Sequence, residues 1–501
     1  MFKSANEHHR VVIVGAGFGG IAMGHRLKEK GIDDFVILER AEDVGGVWHH
    51  NTYPGCKCDV PSHLYSFSFA PNPEWSRTYS PQPEIREYLR RCADRFGLRE
   101  HLRTGVEVTA ASWNETDQTW EVETSDGLFT GTLLVNSMGP LTEPNFPDVP
   151  GLDRFRGKAM HSARWDHEYD LTGKRVASIG TGASAIQYVP SIQPDVEQLF
   201  VFQRTPPWVM PHTDRRIRDW ERKLYRRLPV AQRLVRETVY LSKELLVLGL
   251  AKQPKLMGLV EKRALQHINR AISDPDLRER VTPRYTLGCK RIVPSNRWYR
   301  ALAAPNVEVV SCGLAEVREH SVVGTDGVER EVDTIIFGTG FHVTDTPYAG
   351  LIRGRGGRLL ADLWKGSPRA YLGTSVPGFP NLFLLLGPNT GSGHGSMVYM
   401  IEAQVDHILR ALDTMEAAGA GTVEVLPTAH DAYNREVDAA MEGTVWDTGG
   451  CSSFYIDATG RNATLWPDFT WRFRRRAARF DTETYTVGPR TTVRQPVGAT
   501  A

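Results

Sequence analysis

Two glycine-rich turns, each set between a run of strand formers and a helix-forming stretch, constrain this chain more than any other feature. The first, Gly15-Ala16-Gly17-Phe18-Gly19-Gly20, follows Val11-Val12-Ile13-Val14. Four β-formers in a row mark a strand buried on both faces of a parallel sheet. A helical stretch runs on to about Lys30, and Phe35-Val36-Ile37-Leu38 gives a second strand that ends in Glu39. This is a βαβ unit. The pattern recurs, with Arg175-Val176-Ala177-Ser178-Ile179 as strand, Gly180-Thr181-Gly182-Ala183-Ser184-Ala185 as turn and Leu199-Phe200-Val201-Phe202 as the next strand. An α/β protein with two Rossmann-like dinucleotide-binding folds is the expectation.

The two turns differ where it matters. Gly15, Gly17 and Gly20 form G-x-G-x-x-G. The first glycine permits the tight turn, the second lets backbone approach a pyrophosphate, and the third lets helix and sheet pack closely. The free N–H groups of the helix start face the anion. Glu39 lies 19 residues beyond Gly20, where a carboxylate accepts from ribose hydroxyls and repels a 2′-phosphate. The first site therefore suits FAD or NAD. Gly180, Gly182 and Ala185 form G-x-G-x-x-A, and 19 residues beyond Ala185 stands Arg204, followed by Thr205. A guanidinium and a hydroxyl can hold a 2′-phosphate, so the second site predicts NADPH. A bare turn or a surface arginine would need no ligand. The contrast between Glu39 and Arg204 carries the assignment. One site of each kind implies hydride flow from NADPH to a bound flavin, which then passes electrons to oxygen, a disulfide or a protein carrier.

At 501 residues the chain has room for about three domains. A net charge of +1 gives no concentrated basic excess for nucleic acid. With 41% apolar residues it can bury a large core, and six cysteines make no disulfide framework, which suits a reducing compartment. No apolar run approaches the roughly 18 residues of a membrane span, and the first ten residues lack a signal-peptide core, so a cytoplasmic protein is expected. Prolines 140, 144, 147 and 150 mark the crossing between the folds. Residues 215–281 are rich in Arg, Lys, Glu and Leu, with Leu241, Leu245 and Leu248 at helical spacing. They read as a helical insertion packing on the protein itself, with a membrane-surface helix as the alternative. The domain assignment is 1–146 and 385–501 for the FAD fold, 147–214 and 282–384 for the NADP fold, and 215–281 for the insertion. The basic run 472–479 reads as a solvated face, and residues from about 485 to 501 as a frayed tail.

Between the folds, Phe155-Arg156-Gly157-Lys158-Ala159-Met160-His161-Ser162-Ala163-Arg164-Trp165-Asp166 resembles the F-x-G-x-x-x-H-x-x-x-W-[P/D] fingerprint of type I Baeyer–Villiger monooxygenases, class B flavoprotein monooxygenases. Relatives that oxidise N and S atoms usually end this stretch on a Tyr-based pattern, so Trp165-Asp166 favours the Baeyer–Villiger branch. The likeness implies a linker role for Phe155, Gly157, His161, Trp165 and Asp166. Gly45-Gly46-Val47-Trp48, Tyr53-Pro54-Gly55, Asp59 and Tyr65 look like the family segment after the FAD strand. Ser80-Pro81-Gln82-Pro83-Glu84 is similar to a second flavin-side stretch, which places Gly46, Trp48, Tyr65 and Gln82 among FAD contacts. Asp333 to Phe341 resembles the strand and turn leading back to the FAD domain, with Gly338 where the family usually has Ala. Gly387-Pro388-Asn389 is similar to a stretch covering the flavin, which assigns Asn389 to the cofactor.

Lys290-Arg291 is similar to the family's Lys-Arg pair, which implies Lys290 on the 2′-phosphate and Arg291 as the catalytic group, oriented by Asp59. The implied reaction consumes FAD, NADPH and O2 and inserts oxygen next to a carbonyl, through a C4a-peroxyflavin that acts while deprotonated. Ketones would give esters or lactones. A guanidinium never surrenders its proton, so it can stabilise the anion without quenching it. Other signals are weaker. Cys56-Lys57-Cys58 is not a C-x-x-C redox pair, and no Cys/His cluster has metal spacing. Gly391 to Gly395 suits a loop near the flavin, and Phe454, Tyr455 and Trp466 are candidates for the substrate pocket or the core. The alternatives are an N- or S-oxygenating flavin monooxygenase and a flavin-binding redox sensor.

Overall fold

The computed structural model describes residues 7–490. Both sheets grow from the two glycine turns. The first contains β1 (Glu7–Val14), β2 (Phe35–Glu39), β3 (Leu102–Thr104), β4 (Val108–Asn114), β5 (Thr119–Thr124) and β6 (Gly127–Asn136). β1 sits between β2 and β6 and runs parallel to both. Residues 11–14 thus meet strands on each side, with Val11 and Ile13 packed against the helical layer and Val12 and Val14 against side chains of β4, β5 and the 348–384 segment, which is why they are uniformly apolar and buried. The helix Phe18–Glu29 crosses from β1 to β2 and packs against the long helix Met397–Ala417.

The second sheet is entirely parallel and five-stranded. It holds β7 (Lys158–His161), β8 (Arg175–Ile179) and β9 (Gln198–Phe202), with the strands Val307–Val310 and Thr334–Phe337. This is an α/β architecture with two Rossmann-like sheets and a helical insertion.

Four expectations need amending. The chain returns to the first sheet before residue 384: Ile352–Arg353 pairs with β4, and Leu382–Leu384 pairs with β6 beside the point where β5 ends. Short apolar triplets read alike in either sheet, so sequence placed the boundary too late. The tail is not frayed at residue 485, because Tyr485–Pro489 pairs with Ala420–Val425 and Tyr485 is buried. The expected fraying beyond 490 and the reading of residues 1–6 lie outside the described residues. Two cysteines are bonded, Cys289 to Cys451, with Cα atoms 6.1 Å apart. Their separation of 162 residues leaves no local spacing signal.

The fourth concerns the insertion, which is helical: Asp219–Arg227, Pro229–Glu244, Met257–Ala271 and Pro275–Val281. Leu241, Leu245 and Leu248 do not pack inward; all three are exposed. Helical spacing identifies a face but not the side it turns to. The basic helix Thr470–Ala477 does present a solvated face, with Arg472 paired to Asp468 and Arg476 to Glu436. No helix among the described residues is long and apolar enough to cross a membrane.

Candidate active site

At the first turn the glycines answer to different needs. Gly15 has φ +101°, and a Cβ there would lie 2.6 Å from the Ser137 carbonyl oxygen. A Cβ on Gly20 would lie 1.9 Å from the Gly15 carbonyl oxygen, so helix and turn meet backbone to backbone. Gly17 is not crowded in this way: its nearest neighbour is the Cα of Gly46, 3.5 Å from where a Cβ would stand. Gly17 and Gly46 therefore offer bare backbone to a ligand. Glu39 is buried at the end of β2, accepting the Ala16 N–H at 2.7 Å and the Ala41 N–H at 2.8 Å. Each oxygen keeps a lone pair for a ribose hydroxyl.

The predicted flavin-side residues converge on this turn. The Trp48 indole N–H donates to the Tyr65 hydroxyl at 3.0 Å, and Tyr65 packs edge-on against Phe18 at 5.1 Å. The Gln82 side-chain amide donates to the Trp48 carbonyl. Asn389 differs, because its side chain is consumed by the protein: it donates to the Asn462 and Leu465 carbonyls and accepts from Arg461. Its backbone N–H donates to the Ala463 carbonyl at 2.8 Å, so among the described residues only its carbonyl oxygen is left to face a cofactor.

The second turn repeats the geometry. Gly180 has φ +102° and abuts the Gly338 carbonyl, whereas a Cβ at Gly182 would meet nothing nearer than 4.0 Å. Ala185 opens the helix Ala185–Ile192. At Gly338 a Cβ would come within 2.8 Å of the Tyr188 hydroxyl, which bonds Ser178 Oγ at 2.8 Å. Tyr188 thus explains why alanine is missing there. Arg204 follows β9, and the Thr205 carbonyl accepts from Thr181 at 3.5 Å. Burial, then the positive charge of Arg204, lowers the Lys290 ammonium below its usual value. Among the described residues neither cation has a carboxylate partner. Two adjacent unpaired cations suit a phosphate dianion, as the open Gly17–Gly46 backbone and the Glu39 carboxylate suit an ADP-ribose with free hydroxyls.

Between the folds stands the ion pair. Arg291 Nε and Nη2 donate to the two Asp59 carboxylate oxygens, both at 2.6 Å. Burial alone would raise the Asp59 carboxyl, but the Arg291 charge and hydrogen bonds outweigh it and hold the group below the usual range. Burial alone would lower the Arg291 guanidinium, and Asp59 reverses that in turn. Two further groups belong here. Lys243, at the end of the insertion helix Pro229–Glu244, interacts electrostatically with Asp59 and Arg291. Tyr455 has a buried hydroxyl with no hydrogen-bond partner among the described residues and is pushed up to about 12, mainly by burial, with Arg291 opposing. Of the other aromatic candidates, Phe454 is exposed and Trp466 packs with Phe473 in a separate core cluster. Cys289, bonded to Cys451, directly precedes Lys290 and ties this loop to the C-terminal segment.

The fingerprint residues lie on and beside β7, at the edge of the second sheet: His161 ends the strand, Phe155 and Gly157 precede it, and Trp165 and Asp166 follow it. A Cβ at Gly157 would lie 2.3 Å from the Asp333 carbonyl oxygen. His161 Nδ1 accepts the Ala163 N–H at 3.1 Å, its ring lies between Phe146 and Phe341, and burial lowers it to about 4. Trp165 leans on Tyr188, Asp166 pairs with Lys158, and Phe155 packs against the second sheet's core. Sequence reasoning missed Lys243 and the Cys289–Cys451 bond. It also missed the buried contact of Glu244 with His394 at 3.0 Å. Adjacent charges ending a leucine-rich helix were the one available signal for Lys243.

A flavin-binding monooxygenase-like family model matches residues 8–349. A Baeyer–Villiger monooxygenase of Streptomyces coelicolor is 52% identical over 486 residues, covering 97% of this chain and 94% of that protein. Among solved structures, the closed form of cyclohexanone monooxygenase superposes with a TM-score of 0.87 at 28% identity, covering 97% of this chain and 100% of that one. An oxidised steroid monooxygenase bound to NADP gives 0.84 at 32% identity, covering 96% and 100%. With two glycine cradles of opposite charge preference and a bidentate Asp–Arg pair between them, the chain belongs to the flavin-binding monooxygenases, in their Baeyer–Villiger branch, with FAD and NADPH as cofactors.

Proposed function

We propose that Arg291, oriented by Asp59, is the cation at which this FAD- and NADPH-dependent monooxygenase inserts oxygen next to a substrate carbonyl, giving an ester or lactone from a ketone. The observation that carries the reading is the two-point contact between the side chains, which fixes the guanidinium plane and leaves Nη1 outside the pair. When bound, reduced flavin supplies the electrons that activate O2. Arg291 offers N–H donors and a permanent charge where negative charge gathers on oxygen, and it has no proton to yield. Asp59 sets its direction. Lys243 adds a second positive charge to the same region, and the Tyr455 hydroxyl lies within the field of Arg291. Lys290 and Arg204 hold the 2′-phosphate of NADPH, and Glu39 the ribose of FAD. The flanking rings of Trp48 and Tyr65, with Gln82, wall the flavin site. NADPH is regenerated inside cells, and on that ground we place the reaction in the cytoplasm.

Arg291→Ala is expected to retain FAD and lose ester formation. Ester formation at the wild-type rate by this variant sinks the role. Incubation with NADPH and a panel of cyclic ketones and tertiary amines tests the reaction class. Ester products support it, whereas N-oxides alone would move the chain to the N-oxygenating reading.

A further inference from the structure

The helix Pro229–Glu244 buries polar side chains and exposes leucines. Its fully buried positions are Gln232, Arg236 and Glu244, while Ala231, Val235, Val239 and Tyr240 pack half-buried against the core. Arg236 Nη1 donates to the carbonyls of His63 and Ser66, both at 2.8 Å, and Gln232 to the Asn72 carbonyl at 2.7 Å. Glu244 accepts from Thr470 Oγ1 at 2.6 Å and contacts His394. Its outward positions are apolar: Leu234 is 63% exposed and Leu241 60%, with Leu245 just past the helix end at 65%. Positions 234, 241, 245 and 248 recur at seven, four and three residues and so share one face. Leu259, on the following helix Met257–Ala271, is 68% exposed. A soluble surface rarely presents so many large aliphatic side chains together without a partner.

The charge of the same segment decides which partner. Residues 215–271 carry fifteen Lys and Arg against five Asp and Glu, a net +10 in a chain whose total is +1. Lys223, Arg227, Arg233, Lys255, Lys262 and Arg263 are exposed and form no ion pair among the described residues. A second copy would bring an equal positive charge against this face, and the repulsion disfavours self-association through it. An anionic lipid surface satisfies both halves, taking the leucines at the acyl boundary and the cations at the phosphates.

We propose that the insertion docks the protein on anionic phospholipid bilayers, with Leu234, Leu241, Leu245 and Leu259 entering the headgroup boundary. The polar grip of Arg236, Gln232 and Glu244 holds the helix in place so that its apolar face points outward. The contact is peripheral.

Flotation of the full-length, FAD-loaded protein tests this with vesicles of phosphatidylcholine alone and of phosphatidylcholine with phosphatidylglycerol. The wild type should float with the anionic vesicles, less with the neutral ones, and lose binding at high salt. The triple substitution L234Q/L241Q/L245Q should lower the vesicle-bound fraction at least about tenfold, with FAD content and unfolding temperature unchanged. If that variant fails to retain FAD, the charge reversal R233E/K262E is used, and it should abolish preference for the anionic vesicles. Three results overturn the proposal. These are no flotation of the wild type, equal flotation of the folded variant, or a concentration-dependent dimer that the leucine substitutions dissolve while vesicles remain unbound.

Discussion

Asp59 and Arg291 grip each other through two parallel hydrogen bonds of 2.6 Å across 232 residues of sequence. Neither side chain is free to turn without breaking both contacts. Asp59→Asn preserves size but deletes the charge that keeps the guanidinium in place. Its expected outcome is ester formation lowered by roughly 10²–10³, the scale of one lost oxyanion donor. NADPH oxidation should continue, uncoupled from product. Arg291→Lys should not rescue, since an ammonium cannot form the two-point fork. Product chromatography beside oxygen consumption checks both.

The proposed seat of NADPH specificity is the pair Lys290 and Arg204. Removing either leaves the 2′-phosphate with one cation, a loss of about 1.5–3 kcal/mol for a charge-assisted contact. The KM for NADPH should therefore rise about tenfold to a hundredfold in Lys290→Ala or Arg204→Ala, with the KM for NADH little changed. Equal loss for both coenzymes would contradict the assignment.

Acid should weaken the fold in a defined window. His63, His161 and His407 are buried, and burial is the main cause lowering each from 6.5 to about 4. Their folded values are depressed, so the unfolded chain binds protons first. The stability they contribute is complete above about pH 6.5 and is lost as pH falls toward 4, by up to about 1.4 kcal/mol per pH unit for each ring. Asp59 adds a lower step, because its contribution stands above its ordinary carboxyl range and fades as pH drops through its depressed value. Melting curves from pH 7.5 to 4.5 should show a progressive fall, and a flat profile would refute it.

The Cys289–Cys451 bond predicts a thiol count. Unfolded without reductant, the chain should titrate four thiols, from Cys56, Cys58, Cys92 and Cys312; six would show that the bond does not form. Cys289→Ser should destabilise by about 2–4 kcal/mol, as for long closed loops.

What the sequence made legible follows from how local each constraint is. Both βαβ units, the two cradles and the contrast of Glu39 with Arg204 are written within short windows, where backbone geometry dictates residue type. The assignment of Asp59 and Arg291 came through family likeness and not through their spacing. Lys243 and Tyr455 reach the ion pair from distant elements; Tyr455 was one of three aromatic candidates that sequence left undivided between pocket and core, and Lys243 was marked only by adjacent charges ending a leucine-rich helix. Leu241, Leu245 and Leu248 were correctly placed on one helical face but turned to the wrong side. Burial of Arg236 and Glu244 against distant carbonyl, hydroxyl and imidazole groups decided that orientation, and pairing of that kind is invisible to periodicity.

The strand Leu382–Leu384 completes the pairing of β6, which is formed almost 250 residues earlier. On the ribosome, the amino-terminal sheet must therefore wait for three quarters of the polypeptide to emerge before its last gap closes. Until then the upper edge of β6 is an open template, and a chaperone that shields such edges would have most to do during synthesis of the second nucleotide fold.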